Sequence, residues 1–293
     1  MITNAVKRAT PMNEFLAALF NPDLPFFRYA FFTGLLASVS FGIIGTYVVV
    51  RRITYVAGAI AHCILGGIGA GLYIQYVLNI AWFGPIQGAL FVALLAACIL
   101  TFVSMHAGER EDTVIGALWA VGMAAGLLFI AKTPGYFDPM SYLFGNILLI
   151  SKGDLFLVLI LDILVVSLVT LFYNNFLAIC FDEEYARLRG VKTHWFYLLL
   201  LCLTALTVVL LIRVVGIVLV IALLTLPAAI AGNFAKGVRR MMLLAIILCM
   251  IFVSTGLCAS FILDLPSGPV IIMIAGVVYL FVILGLRLIR NGH

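Results

Sequence analysis

Residues 195–232 read WFYLLLLCLTALTVVLLIRVVGIVLVIALLTLPAAIAG, and Arg213 is the one charged side chain among them. About 20 apolar residues in a helix cross a hydrocarbon core of about 30 Å. The stretch therefore holds either one unusually long helix or two spans, 195–212 and 214–232, meeting near Arg213. Backbone polar groups find no water in lipid, so either way the chain there must be helical.

The same pattern repeats on both sides. Apolar blocks fall at about 28–50, 57–79, 85–105, 113–131 and 154–175 before this stretch, and at 241–262 and 269–288 after it. That makes nine spans, or eight if 195–232 is a single helix. Turn residues mark two breaks, Gly84-Pro85 and Pro266-Ser267-Gly268. Across 293 residues 65% are hydrophobic and 10% charged, against about 25% charged in a globular domain. A soluble enzyme and a disordered chain are excluded. A nucleic-acid binder is excluded too, because the net charge of +5 is spread over the whole length. The expected fold is all-α, a polytopic membrane protein with one transmembrane domain over 1–293.

Basic residues set the orientation. With the chain start outside, the inner side holds eleven: Arg51, Arg52, Arg110, Arg187, Arg189, Lys192, Lys236, Arg239, Arg240, Arg287 and Arg290. The outer side holds six: Lys7, Arg8, Arg28, Lys132, Lys152 and Arg213. The tail 1–27 is then external, with residues 12–20 as a short interfacial helix. No apolar run ending at a small-residue cleavage site follows Lys7 and Arg8, so no removable signal peptide is expected. The six cysteines are isolated, without a C-x-x-C, and five lie in apolar runs. They read as small buried hydrophobes rather than a disulfide framework.

Two connections exceed a turn. The outer stretch 132–153 contains Pro134, Gly135, Asp138 and Pro139, then the apolar Tyr142-Leu143-Phe144-Gly145-Asn146, read as a short re-entrant helix. The inner segment 178–194 contains Asp182-Glu183-Glu184-Tyr185-Ala186-Arg187-Leu188-Arg189-Gly190, with acids first, bases last and glycine after. Those are helix-end signals, but the helix is too short to hold alone in water. It is either a solvated loop helix or a surface that docks into another protein.

No phosphate-binding G-x-x-x-x-G-K-[ST] and no dinucleotide fingerprint occur, so any pumping draws on another chain's nucleotide hydrolysis or on an ion gradient. No Ser/His/Asp arrangement presents itself, and the chain is not expected to be an enzyme. Ionisable residues inside spans are costly and are functional candidates. His62 lies within Gly58-Ala59-Ile60-Ala61-His62-Cys63-Ile64-Leu65-Gly66-Gly67. It reads either as a ligand for a borderline divalent metal, with the Cys63 thiol beside it, or as a histidine bonded between packed helices. Asp162 sits mid-span as a proton or cation site, or as a group bonded to a neighbouring helix. Asp264 closes the eighth span as a pathway residue or a plain helix end. Gly67-x-x-x-Gly71 is a small-residue face suited to close helix approach.

Several segments together resemble the permeases of zinc and manganese ABC importers. They are Gly45-Thr46-Tyr47-Val48-Val49-Val50-Arg51-Arg52-Ile53-Thr54-Tyr55 with Ala61-His62 and Gly66-Gly67, then Asp112-Thr113-Val114-Ile115-Gly116, then Tyr142-Leu143-Phe144-Gly145-Asn146-Ile147-Leu148. Val215-Gly216-Ile217 with Ala222-Leu223-Leu224-Thr225-Leu226-Pro227-Ala228-Ala229 follows, and Asp264-Leu265-Pro266-Ser267-Gly268-Pro269 completes the order. The resemblance implies a cobalamin-importer-like architecture in a bacterial inner membrane. It implies a homodimer around a central pathway, two cytoplasmic ATP-binding subunits, and a periplasmic or lipoprotein metal-binding protein. It places the coupling helix at Asp182 to Gly190. A divalent metal ion is then the substrate, and no permanently bound cofactor is expected.

One departure bears on the substrate. Many such permeases carry an acid four residues before the histidine, on the same helix face; here that position is Gly58. Candidate partners for His62 are Cys63, Asp138 and Asp264, and the lost hard oxygen favours zinc over manganese or iron. The rival readings are a proton-coupled carrier using Asp162 or His62, and an ABC permease for a metal chelate.

Overall fold

The structure, a computed structural model, describes residues 25–106, 111–135, 143–145 and 150–291 together with Phe15 and Leu19. Eleven helices follow one another: α1 Pro25–Val50, α2 Thr54–Tyr76, α3 Pro85–His106, α4 Glu111–Lys132, α5 Lys152–Leu171, α6 Tyr173–Phe181, α7 Glu183–Leu188, α8 Thr193–Val215, α9 Ile217–Phe234, α10 Val238–Leu263 and α11 Ser267–Asn291. Among the described residues nine helices are long and apolar enough to cross a membrane; α6 and α7 are not among them. The stretch 195–232 is thus two spans. Their seam falls at Gly216, three residues past Arg213, because Gly216 adopts φ +81 and ends α8. A Cβ there would stand 2.2 Å from the Gly145 backbone nitrogen, so only glycine lets the outer segment lie against this junction.

The expected span 154–175 is corrected at both ends. Helix α5 starts at Lys152 behind a capping box, in which Ser151 accepts from the Asp154 amide and Asp154 accepts from the Ser151 amide. It stops at Leu171, and the chain turns at Phe172 into α6. Phe15 of the expected interfacial helix is helical and buried edge-on against Phe27, Phe31 and Phe261. Leu19 of the same segment is also helical and buried, while the rest of 12–20 lies outside the described residues, as do Tyr142 and Asn146 of the re-entrant segment.

Helix α1 is central, packed against α5, α8, α9 and α10, while α2 is enclosed by α3, α4, α8 and α9. The glycines of α2 explain its place. Gly67 and Gly71 lie against Gly88 and Gly84 at the start of α3; Gly66 and Gly69 lie against Gly122 and Gly126 of α4. Backbone meets backbone on two sides, which suits helices in lipid, where dispersion rather than water exclusion drives association. Helices α4 and α11 are the least buried spans.

Contacts gather the connections at the two ends of the bundle. The α1–α2 turn, α6, α7 and the start of α10 meet at one end through Arg51 with Glu183 and Arg239 over Tyr173. Phe144, Gly145, Gly216 and Gly268 meet at the other.

A Cβ on Gly67 would lie 2.4 Å from the Gly88 carbonyl oxygen, whereas one on Gly285 meets nothing within 4 Å. Gly67→Val should cost about 1–3 kcal/mol of overpacking and lower the unfolding temperature in detergent by several degrees, while Gly285→Ala leaves it unchanged. Equal melting of the two variants would contradict this packing.

Candidate metal pathway and coupling surface

His62 sits eight residues into α2, about 12 Å along the helix from the basic end. Its ring stacks on Trp119 of α4, with centroids 4.2 Å apart and planes at 16°. Nδ1 is buried without a hydrogen-bond partner. Stacking leaves the imidazole edge free, and a metal binds a ring nitrogen in the ring plane. Trp119 also reaches Gly58: a Cβ at position 58 would lie 3.3 Å from Cζ3 of the indole. The indole therefore lines the wall where the resemblance leads one to expect a carboxylate, and it is 39% exposed.

The other candidates are placed separately. Cys63 is buried and donates to the Leu118 carbonyl at 2.9 Å, so its thiol is engaged with α4. Asp264 caps α10 in the left-handed conformation, φ 52, exposed at the outer end and far along the bundle from His62. Asp138 lies outside the described residues. Asp162 is buried between α5 and α1, where the Ser40 hydroxyl donates to Oδ1 and Oδ2 has no hydrogen-bond partner. The hydrogen bond links two spans. Among the described residues no three His, Cys, Asp or Glu side chains come together in a metal-binding group.

The inner segment forms as its end signals indicate. Asp182 is the N-cap of α7, accepting from the Tyr185 amide at 2.8 Å, and Gly190 takes φ +79 beyond the last turn. Glu183 pairs with Arg187 at 3.6 Å, and Arg189 donates through Nε and Nη2 to the Tyr185 hydroxyl at 2.9 and 2.6 Å. Ala186 is the one buried residue of α7; Glu184 is exposed, and Leu188 stands 86% exposed among charges. The six-residue helix is a knob that presents a leucine and paired charges to the solvent.

Arg51, read from sequence only as an inner-side charge, proves to fix this knob. Its guanidinium donates to the Ile179 carbonyl in the last turn of α6 and pairs with Glu183 of α7. It also lies 5.4 Å from the Tyr197 ring centroid of α8. One side chain thus satisfies a free carbonyl at a helix C-terminus and an acid at the next helix N-terminus. Next to it, Arg52 holds φ 61, a left-handed value that costs a non-glycine residue about 1–2 kcal/mol. Nearby, burial pushes the Cys180 thiol up to about 12, with the Arg51 charge pulling the other way; Cys180 stays a thiol and packs.

Three comparisons with known proteins bear on this arrangement. The sequence profile of the ABC 3 transport family matches residues 23–285. A probable metal transport system membrane protein of Chlamydia pneumoniae is 42% identical over 250 residues, 85% of each chain. The manganese transport system membrane protein MntC of Listeria innocua is 30% identical over 254 residues, 87% of this chain and 88% of its own. Among solved structures, PsaBC from Streptococcus pneumoniae in complex with Fab superposes with a TM-score of 0.80 at 25% identity, covering 92% of this chain and 95% of that one.

Arg51→Gln should release the inner segment, since removing one member of a shielded pair strands the other at a cost of about 1–3 kcal/mol. Backbone amide exchange over 178–192 is then faster than in the unaltered protein. Adding Glu183→Gln changes little more, because the two losses are one interaction. Additive effects of the two changes would count against the pair.

Proposed function

The chain belongs to the ABC 3 transport family, and on that premise we propose that it is the membrane-spanning permease of an ATP-driven divalent-metal importer. A binding protein delivers the ion to the outer face. The ion passes along α2 near His62. Two ATP-binding subunits on the inner side grip α7 and drive the change of access, so the nucleotide chemistry belongs to those subunits and this chain is a transport subunit. The observation that carries the reading is His62: an imidazole inside a span, with one ring nitrogen buried and unpaired, on a helix fixed by glycine contacts. The names of its relatives support a metal as the cargo.

A second copy of the chain completes the pathway. The outward face of α4 presents Gly116, Ala120 and Ala124, all exposed and four residues apart, beside Trp119. Small residues at that spacing let a second helix approach closely. Two α4 helices meeting there bring two His62–Trp119 pairs to a common axis, so one ion is shared between copies.

Zinc is the substrate favoured by the ligands in reach, since imidazole suits a borderline cation and the indole at Gly58 leaves no hard oxygen on that wall. Manganese is the second reading, favoured by the relatives named for manganese; it needs an oxygen donor from elsewhere.

Elemental mass spectrometry of metal-starved cells with and without the gene tests the substrate. A fall in zinc alone is expected; a fall in manganese or iron alone selects the second reading, and no change in any metal rejects the importer. His62→Ala should lower uptake about tenfold or more, the loss of about 1.4 kcal/mol at the limiting step, while the complex with the ATP-binding subunit still purifies. Gly58→Asp with Trp119→Ala should shift the uptake ratio toward manganese, and Gly58→Asp alone should not, because the indole stands in the way. An unchanged ratio in the double variant would remove Trp119 from selectivity.

A further inference from the structure

On the flank of the bundle a groove of about 380 Å³ opens between α1, α5 and α10. Its deep end is aliphatic, with Ile43, Val166 and Ile246 on the three helices, and its shallow end is formed by Thr170, Tyr173 and Arg239. Arg239 lies in the first turn of α10, and Ile246 is seven residues further on. At 1.5 Å per residue the groove runs about 10 Å along α10, within the ~15 Å depth of one leaflet. It starts at the end of the bundle that carries the basic turns.

The shallow end is built to meet an anion. The Arg239 guanidinium lies over the Tyr173 ring, 4.5 Å from its centroid, and the residue is exposed. No carboxylate among the described residues pairs with it. Lys236 and Arg240 flank it, both exposed, and add charge of the same sign. Thr170 is not a competing donor, because its hydroxyl is spent on the Val166 carbonyl at 2.7 Å. An apolar slot in the depth of a leaflet, with an unpaired guanidinium at its mouth, matches an amphiphile with an acyl chain and a negative phosphate. Basic pockets between spans on the cytoplasmic side take such headgroups. Arginine is suited to them because its planar fork meets phosphate oxygens two at a time.

We propose that this groove is a binding site for one anionic phospholipid of the inner leaflet, its phosphate on Arg239 and one acyl chain along Ile43, Val166 and Ile246. The face is distinct from α4, on which the second copy is proposed to sit, so the lipid site does not depend on the metal reading.

Native mass spectrometry of the full chain in detergent tests it, with phosphatidylglycerol and phosphatidylcholine of identical chains as probes. Phosphatidylglycerol should bind about fivefold or more tightly, the value of roughly one basic residue at a charged membrane surface. Arg239→Gln should bring the ratio of the two lipids close to one. Leu243→Phe, which narrows the groove, should weaken both. The same ratio in the unaltered chain and in Arg239→Gln overturns the proposal, as does complete displacement of phosphatidylglycerol by inorganic phosphate, which would show that no chain is held. Should a variant not purify, phosphatidylglycerol carrying a photoreactive acyl chain decides on the unaltered protein. Adducts on 166–170 and 239–246 support the site, and adducts confined to α4 or α11 refute it. A disulfide between two copies through Leu243→Cys would show that another protomer fills the groove, and would refute it as well.

Discussion

Contact of bare backbone with bare backbone around α2 is the constraint on which the candidate site depends. Gly67 and Gly71 admit the carbonyls of α3, and Gly66 and Gly69 admit those of α4. With any side chain at these positions α4 would stand off, and Trp119 would no longer reach both Gly58 and the His62 ring. The glycines also fix rotation about the helix axis. Four of them on two adjoining faces leave one azimuth for α2, and that azimuth directs His62 toward α4. In lipid this precision cannot come from a hydrophobic driving force, because the surrounding chains are as apolar as the helix, so it comes from close packing.

A second constraint acts at the basic end. The turn between α1 and α2 is three residues long, and its first residue, Arg51, is tied to α6, α7 and α8 at once. Under the proposed function, a push on α7 would reach the N-terminus of the helix that carries His62 through the three-residue turn that Arg51 opens. The unfavourable φ of Arg52 fits the same logic, because a strained turn persists only where its neighbours over-determine it. This gives a short mechanical route between the surface that suits a partner and the interior group that suits an ion.

Much of this was legible in the sequence, and the reasons are physical. Spans are long, uniform and bounded by turn chemistry, so apolar length and turn residues together give nine segments, or eight where 195–232 is taken as one helix. The helix after Asp182 announces itself by its cap, its charge order and Gly190. The seam at Gly216 was displaced to Arg213 in that reading, because a charge is conspicuous in an apolar run while a glycine in a left-handed conformation is not. Helix α6 does not stand out in the sequence: its first residues fall in the expected span 154–175 and its last in the inner segment 178–194, because only a change of chain direction at Phe172 separates it from α5. Trp119 carried no signal at all. An aromatic on an apolar helix is ordinary, and its partnership with His62 and Gly58 is a fact of packing between α2 and α4 that no spacing within one helix encodes. Arg51 showed its charge and hid its three partners, which lie more than a hundred residues away.

The indole at Gly58 changes what kind of ion site this helix supports. A histidine and a carboxylate one turn apart chelate a cation from a single helix and hold it tightly. An imidazole stacked on an indole offers one nitrogen and a wall that donates nothing. Such a site binds weakly until a second imidazole faces it, and weak binding at a crossing point favours conduction, because a tightly held ion does not leave. In the proposed dimer, selectivity would pass from the individual chain to the geometry of the pair, where opening or closing the approach of two α4 helices would make and break the site. Trp119, which fills the space beside Gly58, stands at that approach, so under the proposed function the choice of metal and the change of access would pass through one contact.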